Sequence, residues 1–281
     1  MTKNEPSRTE MDEYWNEAGG QKWLKNLDRL ETLLEPVGKH LIESLPLENV
    51  IDILDIGCGA GRVSALVADL LGPQGQVLAA DISETILASA TMARKDTKNL
   101  SFLHCDAGTH NFEVGAFDLI ISQFGIMFFS TPTEAFRNIH RALKPGGKLR
   151  VLCWKSIHEN PWMKTAAWAA FEILQRPPSP KPGEPGPFSL ADKDLLIQTL
   201  SNAGFIEIEA DPISETLNLG TVDQAVSLMT DMGPCAKPLS EASPDDSQKA
   251  VALVRKAMEE VKTPDGQVKL KGSFWLVEAS A

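Results

Sequence analysis

The 281-residue chain is short of positive charge, of paired cysteines and of long apolar runs, and each shortage removes a class of function. Lys and Arg number 27 against 38 Asp and Glu, for a formal net charge of −11. An acidic surface repels phosphate backbones, which disfavours a nucleic-acid substrate. The cysteines Cys58, Cys105, Cys153 and Cys235 form no C-x-x-C pair and fit no zinc module. They read as reduced thiols, with no metal site among them. The run MTKNEPSRTEMDEYW has no apolar signal core. The longest apolar region, FDLIISQFGIMFF, is interrupted by Ser122, Gln123 and Gly125 and falls short of bilayer length. The expectation is a soluble, cytoplasmic protein whose partner is a small molecule. With 43% hydrophobic residues, the chain has enough apolar material for a core without disulfide staples.

What is present is a rhythm. The first dozen residues read as disordered. From Trp23, apolar residues Trp23, Leu27, Leu30, Leu34, Val37 and Leu41 recur three and four apart, as on one helix face. Pro36 is expected to break that helix in two. Strands are then predicted at 50–57, 75–83, 99–107, 116–124 and 148–155, alternating with helices at 60–72, 83–95 and 132–147. Parallel strands with helices on both faces are the economical solution, with a crevice at the strands' carboxyl ends. After residue 155 the rhythm breaks. Helices are expected at 160–175 and 190–205, with a stiff proline-rich loop at 176–188 between them. A strand at 206–210 follows. Residues 211–266 should hold a short strand-like piece and two helices, before a last strand at 267–280. There is no internal repeat.

The first strand runs into ILDIGCGAGR, a glycine-rich turn of the kind that holds nucleotides. The glycines Gly57, Gly59 and Gly61 are spaced G-x-G-x-G, and Arg62 takes the place of a dinucleotide fingerprint's last glycine. No G-x-x-x-x-G-K-[ST] run exists. A nucleoside without phosphate fits better. Asp55, at the first strand's end, can order the loop or accept from a ligand ammonium. Asp81 ends the second strand, where an acid can accept from both ribose hydroxyls. Asp106 ends the third and can accept from an adenine amine. Strand-end aspartates also cap turns, but three in succession are poorly explained by packing, because ionised carboxylates gain nothing from a core.

The segments ILDIGCGAGR, AADIS, HCDA, FDLIISQFGIMFF and ALKPGGKL resemble, in order and spacing, the motifs of class I S-adenosylmethionine-dependent methyltransferases. The match runs over about residues 53–149, and its second half is most similar to small-molecule enzymes, including the ubiquinone/menaquinone type. The resemblance implies a Rossmann-like, doubly wound, mostly parallel α/β sheet of seven strands with the last antiparallel. It implies S-adenosylmethionine as cofactor and S-adenosylhomocysteine as product. By the same carry-over Gly57, Gly59 and Gly61 pass beneath the methionine part, Asp81 with Ile82 holds the ribose, and Asp106 with Ala107 holds the adenine. The stretch starting at Ser122 then borders the methyl group.

Residues 1–45 are expected to form a helical cap and 46–281 the methyltransferase domain, with lid segments at about 156–190 and 211–266. Trp15 or Trp23 can shelter a sulfonium with an aromatic face. An apolar, adaptable acceptor pocket is expected from Gln123, Met127, Trp154, Trp162, Met229 and Met232. His158 lies after the fifth strand, near the crevice by topology, and is the histidine to test as a base; no catalytic residue is assigned. The leading expectation is in-line methyl transfer to a lipophilic or aromatic acceptor on carbon, oxygen or nitrogen. The alternatives are a non-methylating cyclase or isomerase on the same fold, an NAD(P) oxidoreductase, and a non-catalytic cofactor-binding protein. Nucleic-acid methylation is further disfavoured because SQFG stands after strand four instead of an N/D-P-P-Y/F run.

Overall fold

The computed structural model describes residues 10–178 and 183–281. Five strands, β1 (Asp52–Ile56), β2 (Gln76–Asp81), β3 (Leu100–His104), β4 (Phe117–Gln123) and β5 (Leu143–Trp154), pair in parallel. Ile53, Leu54, Leu119, Ile120 and Ile121 are fully buried, as central parallel strands covered on both faces require. The last two strands, β6 (Ile206–Thr221) and β7 (Gln267–Ser280), complete the order β3-β2-β1-β4-β5-β7-β6. β7 is antiparallel to both β5 and β6. The winding direction reverses between β1 and β4, which opens a crevice at their carboxyl ends.

The N-terminal region forms α1 (Glu10–Asn16), α2 (Ala18–Lys25) and α3 (Leu27–Glu43). Helices α4 (Arg62–Leu71) and α5 (Glu84–Ala93) connect β1 to β2 and β2 to β3, and α6 (Pro132–Ala142) precedes β5. Ser83 caps α5, its hydroxyl accepting from the Ile86 N–H. Then come α7 (Pro161–Ala170) and α8 (Lys193–Ala203); between β6 and β7 lie α9 (Val222–Met232), α10 (Ala236–Glu241) and α11 (Pro244–Glu260). Helix α11 packs on α7 and α9, and α2 reaches α9, so the N-terminal helices and the late insertion meet. No helix among the described residues is long and apolar enough to cross a membrane.

Several boundaries differ from the sequence reading. Helix begins at Glu10, inside the stretch expected to be disordered; residues 1–9 lie outside the described residues. Pro36 sits inside an unbroken α3, held by its buried face of Leu30, Leu33, Val37 and Leu41. The break comes earlier, at Asn26, whose amide bonds the Lys22 carbonyl (2.9 Å) and Asp231 (2.8 Å). α6 stops at Ala142, because Pro145 has no N–H and Gly146 has φ +77°. β6 runs for 16 residues, since β7 pairs with it as far as Thr221. Its partner insertion holds three helices, not two. Within the proline-rich loop, residues 179–182 lie outside the described residues.

Candidate functional site

A cavity of about 910 Å³ occupies the crevice between the strand tips and the N-terminal helices. Its two ends are built differently. At one end the backbone does the work. After β1 the N–H groups of Gly57 and Cys58 donate to the Ala80 carbonyl (2.8 and 3.1 Å), which ties the glycine turn to β2. Gly57 has φ +66°, and a Cβ there would stand 2.5 Å from the Cα of Gly125. The two loops therefore meet backbone to backbone. A Cβ on Gly61 would strike the Phe102 ring at 2.9 Å, and Gly61 does not line the cavity. Of the three turn glycines Gly59 alone opens freely: the nearest atom to a Cβ there is Trp23 Nε1 at 3.9 Å.

Three carboxylates surround this end. Asp81 accepts from the Gly59 N–H (2.8 Å) and the Ser83 N–H (2.9 Å). Burial raises its pKa above the ordinary carboxylate value, against those donors. Asp55 is 2% exposed and accepts from the Ser64 hydroxyl at 2.6 Å. Burial, opposed by that hydrogen bond and aided by the charge of Asp81, pushes Asp55 up to about 7. Asp106 accepts from the Gly108 N–H (2.8 Å) and the Thr109 hydroxyl (3.2 Å), so it shapes its own turn while facing the cavity. Ile82 and Ala107 line the same end. So do Cys58 and Cys105; burial pushes Cys58 well above the usual thiol value and Cys105 up to about 12, and all four cysteines are free.

The N-terminal helices close over this end. The Ser83 hydroxyl donates to the Trp15 carbonyl (2.8 Å), the Asn16 amide donates to the Ile82 carbonyl (2.9 Å), and the Glu84 N–H donates back to Asn16 (2.9 Å). Trp15 packs edge-on against Trp23 and Phe128, with ring centroids 6.0 and 5.2 Å away. Arg62, the first residue of α4, pairs with Glu35 (3.0 Å) and Glu31 (3.6 Å) of α3. Lys25 reaches Asp231 (2.9 Å), and His40 reaches Glu215 (3.0 Å), so α2 and α3 are also tied to α9 and β6.

The other end is apolar. Phe124 and Trp154 stack at 4.1 Å with planes 5° apart, and Trp162 tilts against Trp154 at 5.3 Å. Phe124 has φ +66°, a strained value for a bulky residue. Met127, Met163, Met229 and Met232 complete the wall. Met127 is fixed by its carbonyl, which accepts from the Ser189 hydroxyl (2.6 Å) and the Gly186 N–H (3.0 Å). The proline-rich loop thus contributes Pro185–Pro187 to the cavity.

The structure gathers on this one cavity Trp15, Trp23, Asp55, Gly57, Gly59, Asp81, Ile82, Asp106, Ala107, Gln123, Met127, Trp154, Trp162 and Met229. It takes three expected residues away. Gly61 packs on Phe102. Ser122 is fully buried, donating to the Ile56 carbonyl (2.7 Å) and accepting from the Gly125 N–H (3.1 Å), so it fastens β4 to β1. His158 is exposed and packs against Trp168 (5.6 Å), off the cavity. Sequence reasoning missed Leu34, Gly38, Arg62 and Phe124. Only the buried glycine within a helical apolar stripe offered a signal.

The donor set discriminates among ligands. A pyrophosphate would face three carboxylates, while Arg62 is already neutralised by Glu31 and Glu35. A nucleoside with a free diol and a positive centre fits these acids, and the open face of Gly59 leaves space for it. Among the described residues no group of three or more His, Cys, Asp or Glu could hold a metal ion.

Comparison with known proteins agrees. Residues 54–151 match a methyltransferase domain family. The ubiquinone/menaquinone biosynthesis C-methyltransferase UbiE of Shewanella baltica is 30% identical over 187 residues, 61% of this chain and 72% of that enzyme. The UbiE of Shewanella frigidimarina is 30% identical over 141 residues, 49% of this chain; here the chain spans only 56% of its relative's length. The YcgJ protein of Bacillus subtilis shares the fold, with a TM-score of 0.58 at 15% identity over 88% of this chain and 98% of its own. A Rossmann-like fold with a glycine turn and strand-tip acids defines a nucleoside-binding α/β protein. Within that class, this chain belongs to the class I S-adenosylmethionine-dependent methyltransferases, and its cofactor is S-adenosylmethionine.

Proposed function

We propose that the protein transfers a methyl group from S-adenosylmethionine to a small acceptor with an apolar or aromatic body. The observation that carries this reading is the continuity of one cavity, acid-lined at the tips of β1–β3 and walled by aromatic rings and methionines at the tips of β4 and β5. When bound, the cofactor supplies an electrophilic methyl group on a sulfonium. Asp81 with Ile82 would hold the ribose, Asp106 and Ala107 the adenine, and Asp55 and the Gly57–Gly59 turn the methionine part. Trp15 and Trp23 would cover the cofactor and exclude water. Phe124, Met127, Trp154, Trp162 and Met229 would hold the acceptor in line; alignment alone can supply several kcal/mol of the barrier.

Residues 10–43 act in this reading as a cap, and the lid is made by residues 156–178 and 183–190 and by the helical insertion at 222–266, since 211–221 belong to β6. The net charge of −11 supports a substrate other than nucleic acid, and the four free cysteines support a reducing, cytoplasmic setting. No observation favours a non-methylating cyclase or isomerase. The test is calorimetry with S-adenosylhomocysteine and NADH, followed by incubation with quinol, phenol and amine acceptors and mass analysis. Binding of S-adenosylhomocysteine and gain of one methyl group support the reading. Preference for NADH, or turnover without added methyl, contradicts it.

A further inference from the structure

We propose that Gly38 is a positioning residue for acceptor choice: its missing side chain makes room for the Gln123 carboxamide, which reads one hydroxyl or carbonyl on an otherwise apolar acceptor. The proposal rests on the methyl-transfer reading above. Gly38 lies buried in the middle of α3, where glycine is a poor helix former. A Cβ there would stand 2.8 Å from Gln123 Oε1 and 3.5 Å from its Cδ and Nε2. The vacancy is therefore filled by the carboxamide of another element, the tip of β4.

Leu34, one turn earlier on α3, fixes that carboxamide's orientation. Its carbonyl accepts from Gln123 Nε2 at 3.3 Å. A carbonyl only accepts, so the nitrogen must face Leu34 and the oxygen must face Gly38. One N–H is thus spent. The second N–H and Oε1 have no hydrogen-bond partner among the described residues, and Leu34, Gly38 and Gln123 all line the cavity. Among the described residues Gln123 carries the only side-chain amide on the lining, beside Phe124, Met127 and Trp154. In such surroundings an unpaired amide favours an acceptor that bonds it and rejects one that does not.

Gly38 is thereby separable from the fold. A methyl group at 38 meets the far end of a flexible side chain, so the glutamine moves and the helix stays. The amide loses its aim while α3 keeps its packing.

The experiment is equilibrium dialysis of 1-naphthol and naphthalene against the full chain saturated with S-adenosylhomocysteine. The wild type should bind 1-naphthol about tenfold more tightly. Gln123→Leu should abolish that preference. Gly38→Ala should reduce it to about threefold or less, with melting temperature and S-adenosylhomocysteine affinity undiminished. The double variant should show no further loss, because both act through one amide. Equal binding of the two aromatics by the wild type, or binding of neither, overturns the proposal. So does a Gly38→Ala variant that keeps the full preference. Failure of the wild type to bind S-adenosylhomocysteine defeats the methyl-transfer reading itself and takes this proposal with it.

Discussion

The two ends of the cavity are made by opposite means. The acid end is drawn from residues 55–107, a contiguous run of strand tips, and is held by main-chain hydrogen bonds from Gly57, Cys58, Gly59 and Ser83. The apolar end collects Leu34, Phe124, Trp154, Trp162 and Met229 from five separate elements and is held by ring packing. The difference separates two tasks. A binding site built from backbone tolerates little change, because altering it moves loops. A wall built from side chains can be altered residue by residue while the sheet stays as it is. Cofactor binding and acceptor choice should therefore respond to different substitutions.

The sharpest way to break the acid end is Gly57→Ala. It places a methyl group 2.5 Å from Gly125 Cα at a φ of +66°. The expected loss is about 3 kcal/mol in denaturant unfolding, combining overpacking with the left-handed penalty. An unchanged unfolding midpoint would mean that the two loops do not interlock. Asp81→Ala comes next. Leaving ribose hydroxyls unpaired should cost about 1–3 kcal/mol, read as a roughly 10- to 100-fold weaker S-adenosylhomocysteine affinity by calorimetry.

At the apolar end the expected effects are smaller and leave the cofactor untouched. Phe124→Gly removes a stacked ring but relieves its backbone. It should be more stable than Phe124→Ala by about 1 kcal/mol, because alanine keeps the left-handed strain. Either variant should bind S-adenosylhomocysteine as the wild type does; a large loss would merge the two ends into one.

The smallest effect is the pH dependence set by Asp55. Its folded pKa, about 7, lies above its unfolded value. Between those values the folded chain binds more protons than the unfolded one, so this group's contribution is full at low pH and lost as pH rises through 7. Melting temperature of the ligand-free protein should carry a downward component between pH 5 and 8 that Asp55→Asn removes. An identical slope in the variant would show that the proton sits elsewhere.

How much of this was legible follows the same division. The strand–helix rhythm and the strand-tip acids Asp55, Asp81 and Asp106 are local patterns, and the chain displays them directly. Ser122 and Gly61 sit in the same motifs, yet they serve packing, because neighbours in a motif need not face the same way. Topology alone puts His158 near the crevice, and topology does not orient a side chain. Pro36 misled because tertiary burial of α3 overrides a local propensity. The pairs Arg62 with Glu31 and Glu35, and Gly38 with Gln123, join residues far apart in sequence, and no local spacing announces them. Nor does any pattern mark the left-handed backbone of Phe124.

A crystal structure of the full chain with S-adenosylhomocysteine tests the central claim most directly. The account predicts both ribose hydroxyls within hydrogen-bond distance of the Asp81 carboxylate, with the adenosyl group over Gly59. An adenosyl group seated against Phe124 and Trp154, or outside the cavity, would contradict it.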